Sequence, residues 1–378
     1  MQDEIRPFTF EVSDDDLIDL RDRLSRTRWP EAEAVDDWSQ GVPLGYVRDL
    51  CDYWASSYDW RRCEAGLNSN PNFITEIDGI DIQFQHVRSP HADATPLVMT
   101  FGWPGSVVEF QKVIEPLTDP TKHGGSADQA FHLVMPSMPG YGWSAKPTRS
   151  GTGVDAIAGM WDQLMVRLGY DSYVAQGGDW GAAVTTAIGG QNLGHCRMIH
   201  TNMPIAAPTP ESMTDPTPEE VAALEALGHY DKWDSGYSKQ QATRPQTLGY
   251  GLSDSPAGQA AWIVEKMWAW TDCDGHPENA LTRDEILDNI SIYWLSKSAA
   301  SSARLYWESF SSFGEGTVDI PTACSIFPKE IITCSRRWAD VRYKNIVHWN
   351  ELDRGGHFAA WEQPALFTSE LRTAFSFL

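Results

Sequence analysis

The segment Gly177-Gly178-Asp179-Trp180-Gly181 lies between an apolar run, Tyr173-Val174-Ala175, and a small-residue run, Ala182-Ala183-Val184. That order reads as a strand, a turn packed with glycine, and a helix. It constrains the chain more than any other feature, because this geometry lifts one side chain out of a sheet edge and into a pocket. The apex residue is a carboxylate. A serine there would suit acyl transfer. An aspartate suits displacement at a saturated carbon, since a carboxylate is already a nucleophile at neutral pH and needs no base to activate it.

The flanking pattern supplies a sheet for such a turn. From Phe73 the period is two: Ile80, Ile82 and Phe84 alternate with Asp81, Gln83 and Gln85 after an Asp78-Gly79 hairpin turn. The apolar runs Leu97-Val98-Met99 and His132-Leu133-Val134-Met135 each end in a Gly/Pro-rich loop, as buried parallel strands do. Val154, Ile157, Trp161, Leu164, Met165 and Leu168 form a helical stripe that stops at Gly169, and Met198-Ile199 resumes the strands after the elbow helix. This alternation predicts an α/β fold with a mostly parallel, doubly wound sheet flanked by helices.

Residues 1–72 read as a helical arm. Ser13 caps Asp14, Asp15 and Asp16, Val12 is placed as a staple onto Leu17, and a second helix starts near Pro43. Residues 73–203 are the first part of the core. Residues 204–316 interrupt the alternation with helices, two of them opened by the capping boxes at Thr217 and Thr282, and read as a lid inserted late in the sheet. Residues 317–378 complete the core, with strands at Thr322 to Phe327 and Ile346 to Trp349 and a last helix carrying Leu366, Phe367 and Leu371.

The 29 basic and 52 acidic side chains leave a net charge of −23, a field that repels phosphate backbones and anionic membranes, so nucleic-acid binding is not expected. Six cysteines without CxxC spacing read as reduced core thiols. The start, Met1-Gln2-Asp3-Glu4-Ile5-Arg6-Pro7, has no signal-like apolar region, and no run approaches the roughly 18 apolar residues of a membrane span. The expectation is a cytoplasmic protein without a membrane anchor.

A base able to reach the elbow should sit in a loop at the same sheet edge. His357, in Asp353-Arg354-Gly355-Gly356-His357-Phe358 just past the last strand, has that context. An acid should orient it. Glu330, after Ile326-Phe327-Pro328-Lys329, fits best, with Asp340, Glu351 and Asp353 as alternatives. Backbone N–H groups of Trp180, after the nucleophile, and Trp103, in the loop after an earlier strand, are the expected oxyanion donors.

With these segments in view the chain resembles the epoxide hydrolases of the microsomal type, an α/β-hydrolase family with a helical N-terminal arm. The matching segments include Arg26-Thr27-Arg28-Trp29-Pro30, Gly102-Trp103-Pro104-Gly105-Ser106, Pro136-Ser137-Met138-Pro139-Gly140-Tyr141-Gly142 and Gln176-Gly177-Gly178-Asp179-Trp180-Gly181. Thr243-Arg244-Pro245, Ser253-Asp254-Ser255-Pro256, Arg304-Leu305-Tyr306 and Arg354-Gly355-Gly356-His357-Phe358 continue it in family order. The resemblance implies Asp179 as nucleophile, His357 as the base that activates water, Glu330 as its acid, and Tyr237 and Tyr306 as lid tyrosines that bind and protonate the epoxide oxygen. The chain departs from the family at Phe101, where a histidine usually stands, which puts the side-chain hydrogen bonding of that loop in question. No counterpart of the anchoring N-terminal helix of some relatives is expected.

The function so implied is hydrolysis of an epoxide to a vicinal diol through an aspartyl ester, with an epoxide and water as partners, a homodimer as the assembly to test, and no cofactor or metal. Two alternatives stand. A haloalkane dehalogenase would use the same aspartate, with the indoles of Trp103 and Trp180 holding halide. A non-catalytic ligand-binding protein would keep the fold alone.

Overall fold

The computed structural model describes residues 4–312 and 316–378, so the first three residues of the arm and residues 313–315 near the end of the lid lie outside the described residues. The predicted alternation folds into a sheet of β1 (Arg6–Pro7), β2 (Asn72–Ile77), β3 (Ile80–Val87), β4 (Thr95–Thr100), β5 (Phe131–Pro136), β6 (Tyr173–Gly177), β7 (Cys196–Thr201), β8 (Thr322–Ile326) and β9 (Ile346–Glu351). Their order is β1-β2-β3-β5-β4-β6-β7-β8-β9. The pairings from β5 through β9 are parallel, and β1, β2 and β3 extend the sheet antiparallel. The chain leaves β4 toward β5 on one side, then crosses to β6 on the other. Such a reversal opens a crevice at the carboxyl ends of the strands.

Helices cover both faces of the sheet, which is why Leu97, Val98, Met99, Leu133, Val134 and Met135 are fully buried. The β2–β3 hairpin turns through Asp78 and Gly79, both at positive φ (52° and 78°), as a two-residue turn matched to strand twist demands. The alternation along β3 separates two packing environments rather than inside from outside. Gln83 and Gln85 are both fully buried: Ser137 donates to the Gln83 amide oxygen at 2.9 Å, and the Gln85 amide donates to the Leu67 carbonyl of the arm at 3.1 Å.

The arm is helical over Asp14–Ser25, Leu44–Ser56 and Trp60–Asn68. Ser13 accepts from the Asp16 N–H at 3.1 Å, and both Val12 and Leu17 are buried, as the staple requires. The arm packs against the helix Arg283–Leu295 of the inserted segment: the Trp54 indole donates to Ser291 Oγ at 3.0 Å, and Tyr58 and Arg62 donate to Asp288 Oδ1 at 2.8 and 2.5 Å. Between β7 and β8 the chain is helical in several pieces, and the boxes at Thr217 and Thr282 are formed. Among the described residues no helix is long and apolar enough to cross a membrane.

Candidate active site

The elbow is built by close approach. β6 ends at Gly177, Asp179 adopts φ 52°, ψ −128°, and the helix Trp180–Gln191 follows at once. A Cβ on Gly177 would lie 2.0 Å from the Gly181 carbonyl oxygen, and one on Gly181 would lie 1.8 Å from that of Thr100. Only bare backbone fits where strand and helix meet. The positive φ at a non-glycine residue stores about 1–3 kcal/mol of strain. It also places the carboxylate at a helix N-terminus, where the peptide dipoles favour negative charge.

His357, in the loop after β9, is tied by its N–H to the Trp270 carbonyl at 2.9 Å. Its Nε2 lies 3.2 Å from Asp179 Oδ2, and its Nδ1 lies 2.5 Å from Glu330 Oε1. Glu330 and His357 are both buried, and Glu330 Oε1 also accepts from the Ile331 N–H at 2.7 Å. The other acids are engaged elsewhere: Asp340 pairs with Arg336 at 2.8 Å, Glu351 accepts from the Trp349 indole at 3.1 Å, and Asp353 is exposed beside Arg354. Burial, the largest single influence on His357, disfavours its cation. The charges and hydrogen bonds of Glu330 and Asp179 together outweigh it and hold the imidazole well above the ordinary histidine range.

The loop after β4 brings the Trp103 N–H within 2.7 Å of Asp179 Oδ1. Gly102 makes this possible, since a Cβ there would fall 2.1 Å from that oxygen. Trp180 is the first residue of the elbow helix, where N–H groups point along the axis at the start. The question raised by Phe101 has an answer in this loop. Phe101 is buried among aromatic rings, 6.4 Å from Phe110 and 6.1 Å from Tyr141, and the loop's carbonyls are held from the inserted helices instead. Asn289 donates to Pro104 O at 2.7 Å, and the Tyr293 hydroxyl to Gly105 O at 2.8 Å.

Tyr237, on the helix Gly236–Thr243, and Tyr306, on Ala299–Ser309, come together from separate helices, with ring centroids 5.7 Å apart. Tyr237 stacks on Trp103 at 5.0 Å, and Tyr306 meets Trp180 edge-on at 4.7 Å. The Tyr237 hydroxyl shares a 3.0 Å hydrogen bond with that of Tyr230, while the buried Tyr306 hydroxyl has no partner of hydrogen-bond geometry. Burial first, and nearby groups including Asp179 second, push both phenols well above their usual range, although the Trp180 side chain favours the ionised form of Tyr306. Both therefore remain O–H donors at neutral pH. The structure thus brings Asp179, His357, Glu330, Trp103, Trp180, Tyr237 and Tyr306 into one site.

Several neighbours escaped the sequence reading. Lys266, almost fully buried, pairs with Asp234 at 2.6 Å and lies 4.7 Å above the Tyr237 ring. Asp234 also accepts from the Trp270 indole at 2.6 Å, and the Trp270 ring meets His357 at 5.0 Å. The available signal was spacing: Lys266 falls in one helical row with Ile263, Met267 and Trp270, where a solvated lysine has no place. Glu109 and Gln176, buried beside Asp179, gave no such signal.

Fold and site define an α/β-hydrolase with a carboxylate at its elbow. A family model described as the epoxide hydrolase N terminus matches residues 5–110, and one for the alpha/beta hydrolase fold matches residues 95–252. A Stigmatella aurantiaca protein provisionally named an epoxide hydrolase is 54% identical over 98% of this chain and 84% of its own length. Epoxide hydrolase 1 of Sus scrofa is 34% identical over 98% of this chain and 88% of its own. The crystal structure of juvenile hormone epoxide hydrolase from the silkworm Bombyx mori matches with TM-score 0.92 at 32% identity, covering 99% of this chain and 94% of that one. The chain belongs to the epoxide hydrolase family.

Proposed function

We propose that this protein hydrolyses epoxides to vicinal diols through a covalent ester on Asp179. The observation that carries the reading is the grip on one carboxylate, with Oδ2 3.2 Å from His357 Nε2 and Oδ1 2.7 Å from the Trp103 N–H, beside two buried phenols. Asp179 attacks an epoxide carbon while Tyr237 and Tyr306 hold the oxygen and supply its proton, since ring opening leaves an alkoxide. His357, oriented by Glu330, then takes a proton from water as the water oxygen adds to the ester carbon. The oxyanion so formed is met by the N–H groups of Trp103 and Trp180.

The charge balance favours this order. In the free enzyme the Asp179 charge helps keep His357 protonated. Esterification removes that charge, lowers the imidazole's proton affinity and frees a base when water must be activated. The paired tyrosines favour an epoxide over a haloalkane, because halide departure needs no proton donor. The aromatic walls of Trp103, Trp180, Tyr237 and Tyr306 suit an apolar, aromatic epoxide. Six free, buried thiols suit a reducing compartment such as the cytoplasm.

Single turnover in isotopically labelled water tests the chemistry: the label enters Asp179, and an unlabelled Asp179 beside labelled diol excludes the ester. Turnover of styrene oxide but not 1-bromobutane separates the epoxide reading from the dehalogenase. Light scattering checks the homodimer.

A further inference from the structure

A small cavity of about 20 Å³ lies against Asp179 and His357 and is also lined by Glu109, Gln176 and Asn202. Neither Tyr237 nor Tyr306 is among the residues that line it. A cavity of this size holds one water, provided the walls offer two to four polar partners. They do. Glu109 Oε1 and Gln176 Oε1 are both buried without a hydrogen-bond partner, in side chains only 8% and 1% exposed. The Gln176 amide nitrogen is already committed to Asn202 Oδ1 at 3.0 Å, which leaves its oxygen as the group to be satisfied. Room for the Glu109 carboxyl is made by Gly105, where a Cβ would stand 1.4 Å from Glu109 Oε1.

We propose that Glu109 and Gln176 hold the hydrolytic water, in a site of its own lying against Asp179 and His357. The proposal rests on the ester reading above. The water donates one proton to His357 Nε2 and its other to Gln176 Oε1, and accepts from the protonated Glu109 carboxyl, which leaves its second lone pair for the Asp179 ester carbon. As the new C–O bond forms, His357 takes the proton and the carbonyl becomes an oxyanion. The bond to the diol oxygen then breaks, and the His357 proton passes to that leaving oxygen. The new carboxyl group, which holds the water's oxygen and its remaining proton, returns that proton to the phenolate left when a tyrosine protonated the epoxide oxygen, and so becomes a carboxylate again. Burial raises the Glu109 carboxyl to about 8, so at neutral pH it is an acid that can both donate and accept. A neutral Glu109 adds no negative charge to hinder Asp179, and a neutral side chain of the same shape should replace it.

The test resolves the two steps by rapid quench and mass spectrometry of the alkylated protein, using styrene oxide. In E109M the ester should form within about twofold of the wild-type rate but decay about 10–100-fold more slowly, so that it accumulates at steady state. E109Q, which keeps shape and hydrogen bonding, should decay within about threefold of wild type. Q176M approaches the cavity from β6 and should slow decay in the same selective way, which keeps the test open if E109M folds poorly. Wild-type decay in E109M or in Q176M overturns the water site, as does an equal loss in both steps together with a lowered Tm. A separate control guards the underlying reading: if H357Q accumulates no adduct at all, the ester itself is wrong and the water site falls with it.

Discussion

The two halves of the site are held by different means. On the sheet side, Asp179, Trp103 and their neighbours are fixed by backbone: strand ends, a helix start and glycines that permit contact no side chain would tolerate. On the other side, Tyr237 and Tyr306 ride on separate helices and are fixed by ring packing and by the buried Lys266, paired with Asp234, over the Tyr237 ring. In the proposed reaction, backbone geometry fixes where the bond forms. Ring packing adapts more readily to the shape of what is bound, and losing one half of an ion pair leaves the other charge uncompensated.

The comparison breaks most sharply at Asp179. Asp179→Ala should lower kcat by at least about 10⁴-fold with no adduct by mass spectrometry. If substantial turnover survives, the sheet side is not where the bond forms. The next contrast sets one half against the other. His357→Gln should lose about 10³–10⁴-fold in turnover yet accumulate ester, whereas Tyr237→Phe combined with Tyr306→Phe should lose a comparable factor and accumulate none. Wild-type ester formation in the double variant would reduce the two phenols to a wall.

The pH profile sharpens the sheet side alone. His357 must be neutral to act as a base, and its pKa in the free enzyme is raised, so ester breakdown should rise with pH and level off above the pKa of the esterified form. That kinetic pKa should lie below the imidazole value measured by NMR in the free enzyme, because Asp179 no longer carries charge. Equal values would mean that Asp179 contributes nothing to the raised imidazole. Glu330→Gln should lower both.

Smaller effects probe the supports. Lys266→Met leaves the partly buried Asp234 without its cation and should cost about 1–3 kcal/mol in urea unfolding, with a fall in the ester-forming rate through Tyr237. Tyr58→Phe removes one arm-to-helix hydrogen bond and should cost about 1 kcal/mol while leaving kcat unchanged. A fall in kcat at unchanged stability would mean that the arm reaches the chemistry through the helix that carries Asn289.

The same contrast decides what could be read from sequence. Backbone devices leave short, ordered marks, so the glycines around Asp179, the loop carrying His357 and the alternation that builds the sheet were legible residue by residue. Glu330 was legible only as the best of four acids, because a buried loop carboxylate and a surface one look alike until the chain is folded. Tyr237 and Tyr306 carried no local mark: an aromatic residue on a helix reads as core, and only the resemblance singled them out. The covering of Gln85 by the arm, and the pairing of Lys266 with Asp234, depend on elements distant in sequence, so no local period announces them.

Gly102 carries a consequence for how such a site can change. The Trp103 N–H reaches Asp179 Oδ1 through a gap that one carbon would fill, since a Cβ at position 102 would stand 2.1 Å from that oxygen. Two loops that never meet in the sequence therefore interlock through a missing methyl group. Mutational drift can recolour the aromatic walls, but the seam between the Asp179 carboxylate and the Trp103 N–H admits no extra atom.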